Sequence, residues 1–157
     1  MDNLAESKFK EWLDKCNIPY WYIDQSLESF SPALRKYFLK RPDFMILLPN
    51  FGLIFVDVKD KELAEKHEKI FIDGIEVEKY LSMQRTLNLQ VWFVISNKNF
   101  HYKTWYWIPL PEIIRSGLEF DSSKSGQKAY AVPINEFVQV ADTDNLERVF
   151  SKIFKSP

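Results

Sequence analysis

The sequence contains a single cysteine, Cys16, in 157 residues, which excludes an intramolecular disulfide framework and a zinc site built from cysteines. Four glycines and eight prolines leave no collagen-like repeat, no low-complexity segment and no glycine-rich loop of the kind that cradles nucleotide phosphates. Long apolar runs are missing too. Stretches such as Phe51 to Val56 fall far short of the about 20 residues needed to cross a bilayer. The first ten residues lack the apolar core of a secretory signal, so a cytoplasmic location is expected. Nor is there an excess of one charge sign: 21 Lys and Arg stand against 22 Asp and Glu. That balance excludes a disordered acidic tail and a strongly basic protein, and net charge therefore identifies no partner.

What the chain does have is the size and apolar content of one compact domain, with 46% hydrophobic residues. Its aromatic residues concentrate at Tyr20-Trp21-Tyr22 and Trp105-Tyr106-Trp107. Such clusters read first as a core of large rings, and second as platforms on which nucleotides stack. From Asn3 to Cys16, Ala5, Phe9, Trp12, Leu13 and Cys16 recur at helical spacing with charges between them, the pattern of an amphipathic helix. Tyr20 to Ile23 has strand composition. Phe44 to Leu48 and Leu53 to Lys59 flank the turn residues Pro49-Asn50-Phe51-Gly52 and form a β-hairpin. A second helix is expected over Val77 to Asn88, strands over Gln90 to Ile95 and Thr104 to Ile108, a short helix through Gly117, a strand near Tyr130 to Ile134, and a last helix over Thr143 to Lys155. This order defines an α/β (α+β) fold with a central mixed β-sheet flanked by helices.

Polar residues on otherwise apolar faces carry the chemistry. Asp57 and Lys59 are two apart in a strand and leave the same face, while Ile54, Val56 and Val58 fill the other. A three-residue loop over Asn50-Phe51-Gly52 pairs Asp43 with Lys59, which sets Asp43 diagonal to Asp57. On the first helix Glu6 falls on the buried stripe with Phe9 and Leu13. On the second, Gln84 falls on the stripe of Val77, Tyr80 and Leu87. Carboxylates aimed at one place suit a hard divalent cation such as Mg²⁺ or Mn²⁺, which takes oxygen ligands and keeps positions open for water and phosphate oxygens. Phosphodiester hydrolysis uses that arrangement, with a lysine beside it to orient the nucleophile or stabilise developing charge.

At these residues the sequence resembles the PD-(D/E)XK nuclease superfamily, the restriction-endonuclease-like fold, and within it the stand-alone members that are like Holliday junction resolvases. The match is Pro42-Asp43, thirteen residues, then Asp57-Val58-Lys59, with Glu6 on a preceding helix and Gln84 on a following one. The resemblance covers about residues 3–108 and leaves 109–157 as a C-terminal extension. It implies metal ligation by Asp43, Asp57, Glu6 and the main-chain carbonyl of Val58, Lys59 as the catalytic lysine, and Gln84 as an accessory site residue. The subgroups with a strong helix signature order it as Gln then Tyr, whereas here Tyr80 precedes Gln84, so the subfamily stays open.

The function expected is therefore a Mg²⁺-dependent nuclease acting on DNA rather than RNA. The basic residues Arg35, Lys36, Lys40 and Arg41 are candidates for phosphate contacts, and a homodimer is expected if both strands are cut. Two other readings stand beside it: a catalytically silent nuclease-like module that binds nucleic acid or a protein, and a small-molecule phosphohydrolase. Each residue taken singly also has a plainer reading. Asp43 can start a strand, Asp57 with Lys59 can be an exposed edge pair, Gln84 can be a satisfied core amide, and the basic run can be a solvated loop. His67 and His101 lack a metal-ligand spacing and read as surface or loop residues.

Overall fold

A computed structural model of the chain describes residues 3–37, 40–63, 68–122, 126–146 and 149. Helix α1 (Leu4–Lys15) is capped by the Asn3 side chain, which accepts a hydrogen bond from the Glu6 amide at 2.7 Å. Strand β1 (Tyr20–Tyr22), a 3₁₀ turn (Leu27–Ser29) and the short α2 (Pro32–Arg35) precede a hairpin of β2 (Phe44–Leu48) and β3 (Gly52–Asp60). Next come β4 (Lys69–Asp73), α3 (Gly74–Leu87), β5 (Val91–Ser96), β6 (Thr104–Pro109), α4 (Leu110–Ser116), β7 (Leu118–Asp121), β8 (Lys128–Pro133) and β9 (Val138–Ala141).

The large sheet has the order β1-β2-β3-β5-β6-β9. Only its central pair, β3 with β5, is parallel, so the sheet is mixed, as expected. On one face Phe9, Trp12 and Leu13 of α1 pack on Phe44, Ile54, Val56, Trp92, Trp105 and Trp107. On the other, α3 and α4 cover Phe55, Phe93 and Ile108, and a second antiparallel sheet, β4-β8-β7, packs outside them through Tyr130 and Val132. Both Trp105 and Trp107 are fully buried, so neither offers a ring to a partner. No described helix is long and apolar enough to cross a membrane.

Two expectations need correction. The hairpin pairs Leu48 with Gly52 and Phe44 with Val56, so its loop is Pro49-Asn50-Phe51 and the register is two residues away from that expected. Asn50 takes the left-handed conformation (φ 67°) and Gly52 opens β3 at φ 126°, a value that suits glycine. Because the offset is even, the faces of β2 are unchanged. Helix α3 begins at Gly74, not Val77, with Asp73 as its N-cap accepting from the Ile75 amide at 2.9 Å. Strands β4, β7 and β9, and with them the second sheet, were not expected. The helix expected over Thr143 to Lys155 falls largely outside the described residues.

Candidate active site

The site is built where the hairpin runs out of partners. Asp43 stands just before β2, and its amide donates to the Val56 carbonyl at 3.0 Å while its own carbonyl accepts from Ile23. The chain bends there, and the carboxylate lies along the vacant edge of β3, where Oδ2 accepts from the Val58 amide at 2.7 Å. In an extended strand the amide and carbonyl of one residue point to the same side. The Val58 carbonyl therefore faces this same edge, past the start of β2.

At this sheet end the two faces meet. Glu6 comes from the α1 side, and Asp57 and Lys59 from the α3 side. A cavity of about 390 Å³ is lined by Glu6, Asp43, Asp57, Val58 and Lys59, with Lys40, Arg41 and Lys61 at its border. Glu6, Asp43 and Asp57 are all buried, and the Asn3 amide donates to Glu6 Oε1 at 3.2 Å. Lys59 Nζ lies 3.0 Å from Asp57 Oδ2 and in closer contact with Glu76 Oε1. The approach to Asp57 lacks hydrogen-bond alignment, so Oδ2 is a buried oxygen that accepts no hydrogen bond.

The electrostatics follow from burial and from charges crowded together. Burial raises the Asp43 carboxyl above the ordinary carboxylate range, against hydrogen bonds from its neighbours. Asp57 is raised further, by burial and by the Asp43 carboxylate, with Lys59 opposing. For Lys59, burial works against the charge, but Asp57 and Glu76 outweigh it and raise the ammonium. Glu76 is also penalised by burial, yet the Asp57 carboxyl and Lys59 bring it down to about 2. Lys40 adds a second cation 3.2 Å from Glu76.

Of the residues singled out in the sequence, the structure brings Glu6, Asp43, Asp57, Val58 and Lys59 to one cavity. Gln84 is not among them. It lies at the far end of α3, where its side-chain oxygen accepts from the Val91 amide at 3.0 Å and anchors the start of β5. In its place α3 contributes Glu76 from its first turn and Tyr80, whose hydroxyl donates to the Arg41 carbonyl at 3.1 Å. The signal for Glu76 is its spacing: Glu76, Tyr80 and Met83 are i, i+4, i+7 on one stripe. Lys40 and Arg41 border the cavity, but the Arg41 guanidinium sits over the Phe30 ring and donates to the carbonyls of Gln25 and Ser26. Arg35 is tied to the Phe30 carbonyl, and Lys36 lies over the Tyr37 ring. Neither lines the cavity. Phe38 and Leu39 of that run, and His67, lie outside the described residues; His101 is exposed in a turn.

The donor set fits a hard divalent cation. Among the described residues no three or more His, Cys, Asp and Glu are gathered as a ready-made cage. The two buried aspartates and the Val58 carbonyl supply oxygen donors beside an open cavity, with Lys59 ion-paired to Asp57.

A mixed sheet flanked by helices, with an aspartate heading one hairpin strand and Asp-x-Lys ending the other, is a fold shared with solved nuclease structures. Among solved structures the chain is similar to the Holliday junction resolvase Hjc of the archaeal hyperthermophile Archaeoglobus fulgidus, at 12% identity over 87% of this chain and 95% of that one, with a TM-score of 0.52. A nuclease from a fusselovirus aligns at 15% identity over 95% of this chain and 87% of its own, with a TM-score of 0.47. No protein-family model and no curated protein matches the sequence.

Proposed function

We propose that the protein is a metal-dependent nuclease that hydrolyses phosphodiester bonds, in DNA rather than RNA, with Mg²⁺ or Mn²⁺ as the cation. The observation that carries this reading is the sheet-end cavity itself: two buried aspartates, one with an oxygen that accepts no hydrogen bond, beside a clamped lysine. Two buried carboxyls crowded together hold a proton that a bound divalent cation would displace. The junction-resolvase fold of the Archaeoglobus protein favours DNA as the polymer.

Asp43, Asp57 and the Val58 carbonyl would hold the cation, with Glu6 supporting a ligand position through water. When bound, such an ion polarises a phosphoryl oxygen and lowers the pKa of a ligand water. Lys59 is protonated, and its ammonium, fixed by Asp57 and Glu76, orients the attacking water and stabilises charge developing on the phosphate. Glu76 is a positioning residue: it holds Lys59 and keeps Lys40 at the cavity border, where Lys40 meets the phosphate backbone. Cutting both strands of a duplex takes two such sites, so a homodimer belongs to this proposal.

The test is cleavage of labelled plasmid, linear, branched and single-stranded DNA and of RNA with Mg²⁺ or Mn²⁺. Wild type is compared with Asp57→Ala and Lys59→Ala. Metal-dependent cleavage that both substitutions abolish is the expected result. Absence of cleavage, or equal cleavage by all three proteins, overturns the proposal in favour of a nuclease-like binding module.

A further inference from the structure

Of the five tryptophans, Trp12, Trp92, Trp105 and Trp107 are buried, whereas Trp21 is 72% exposed. It stands on edge strand β1, paired across the sheet with Met45, which is paired in turn with Phe55. These cross-strand partners share the α3 face, and Phe55 lies two residues before Asp57. The row Trp21, Met45, Phe55 is therefore the next row of the sheet, about 7 Å back from the catalytic one. Helix α3 packs on β5 and, through Tyr80, Phe93 and Met83, on the Phe55 side of this face. Over β1 and β2 the cover is the 24–34 segment, and between them lies an apolar groove of about 390 Å³ whose walls include Phe30 and Leu34.

Three observations say what fits there. The groove has the size of a small-ligand pocket, roughly 300–1,000 Å³, with aromatic rings on its floor and wall. Its polar rim is Asp24 and Ser29; it offers no cation to a phosphate, but its acceptors suit the amino edge of a neutral ring. It also adjoins the acidic cavity through one residue, Arg41, which borders that cavity and lays its guanidinium 4.6 Å from the centre of the Phe30 ring that walls the groove.

We infer that this groove receives an unpaired nucleobase of the substrate strand, stacked on Trp21, while the neighbouring phosphate enters the acidic cavity past Lys40 and Arg41. This rests on the nuclease reading for its ligand and narrows the substrate to DNA with unpaired bases near the cut, single-stranded or branched. A paired base cannot reach the groove without leaving its helix, which costs a few kcal/mol of unstacking and unpairing.

Emission accessible to the quencher acrylamide comes from Trp21, because the other four tryptophans are buried. The experiment titrates the full-length protein, without divalent metal so that no strand is cut, with a short single-stranded DNA and with a blunt duplex of the same sequence. The expected result is that the single strand shields Trp21 from acrylamide and the duplex does not. Trp21→Ala is expected to weaken single-strand binding roughly tenfold or more, as loss of one base–aromatic stack does, and Trp21→Phe to restore most of it. Single-strand binding that leaves the emission and the Trp21→Ala affinity unchanged overturns the inference. So does a Trp21→Ala protein that changes from dimer to monomer with unaltered DNA affinity, since the groove is then a contact between copies. Shielding without any cleavage in the separate nuclease assay leaves the base site standing and removes the nuclease reading; cleavage without shielding does the reverse.

Discussion

Asp57 is 3% exposed and shares its cavity with a second buried carboxyl, so in the metal-free protein the pair retains a proton at a pH where an ordinary aspartate has lost it. Cation binding must expel that proton, so affinity rises with pH above the usual carboxylate range. Calorimetric titration with Mn²⁺ in buffers of different ionisation enthalpy is expected to show proton release by wild type and none by Asp57→Asn. A raised carboxyl contributes stability that is present below its unfolded pKa and lost as pH rises through the folded one. The asparagine variant is therefore expected to be more stable than metal-free wild type at neutral pH, by about 0.5–2 kcal/mol, measured by urea denaturation. Glu76 has the opposite sign. Lowered from 4.5 to about 2, it stabilises above 4.5 and loses that contribution as pH falls toward about 2. Glu76→Gln should cost about 1–3 kcal/mol at neutral pH, and thermal melts should show the gap to wild type closing on acidification. That Asp43, Asp57, Lys59 and Glu6 gather at one cavity was legible because each interrupts an apolar pattern or shares a strand face. Glu76 was not, because a helix read as starting at Val77 leaves it outside. Gln84 misled because an amide on a buried stripe also serves as the acceptor for a neighbouring strand's first amide.

Helix α3 owes its position to the second sheet. A Cβ on Gly74, its first residue, would meet the Lys128 carbonyl oxygen of β8 at 2.6 Å and its carbon at 2.9 Å. Backbone cannot swing aside as a side chain can, so Gly74→Ala must push the helix start away from β8. Overpacking of this kind costs about 1–3 kcal/mol, and Glu76, two residues on, moves with it. The expected outcome is a lowered denaturation midpoint together with a fall in cleavage greater than stability explains, read by comparing kcat at a temperature where the variant is fully folded. At this scale the sequence spoke clearly in two ways: α1 follows a helical apolar period, and the hairpin strands, β5 and β6 are unbroken apolar runs bounded by turn residues. It was silent on β7 and β9. Leu118-Glu119-Phe120-Asp121 is exposed throughout, and Val138 to Ala141 is only four residues long; neither run offers a pattern long enough to separate strand from loop. The hairpin register slipped because Gly52 was assigned to the turn, whereas its positive φ starts the strand.

The sequence resemblance leaves 109–157 as a C-terminal extension, yet its described strands are built into both sheets. Strand β9 completes the large sheet beside β6, β8 pairs with β4, and the Trp12 indole donates to the Asp142 carbonyl at 3.2 Å. A fragment ending at residue 108 would lose β7, β8 and β9 and uncover Ile70, Ile72 and Trp105. It is expected to show no cooperative thermal transition by circular dichroism. The pairing of β4 with β8, which joins Phe71 to Ala131, also sets a schedule for synthesis on the ribosome. The hairpin bearing both aspartates is made early, but the helix that clamps Lys59 cannot settle until β8 has been translated, roughly 3–10 s after Glu76 at ordinary elongation rates. A nascent chain therefore carries both aspartates before the lysine is clamped, and the site is completed only once β8 has emerged.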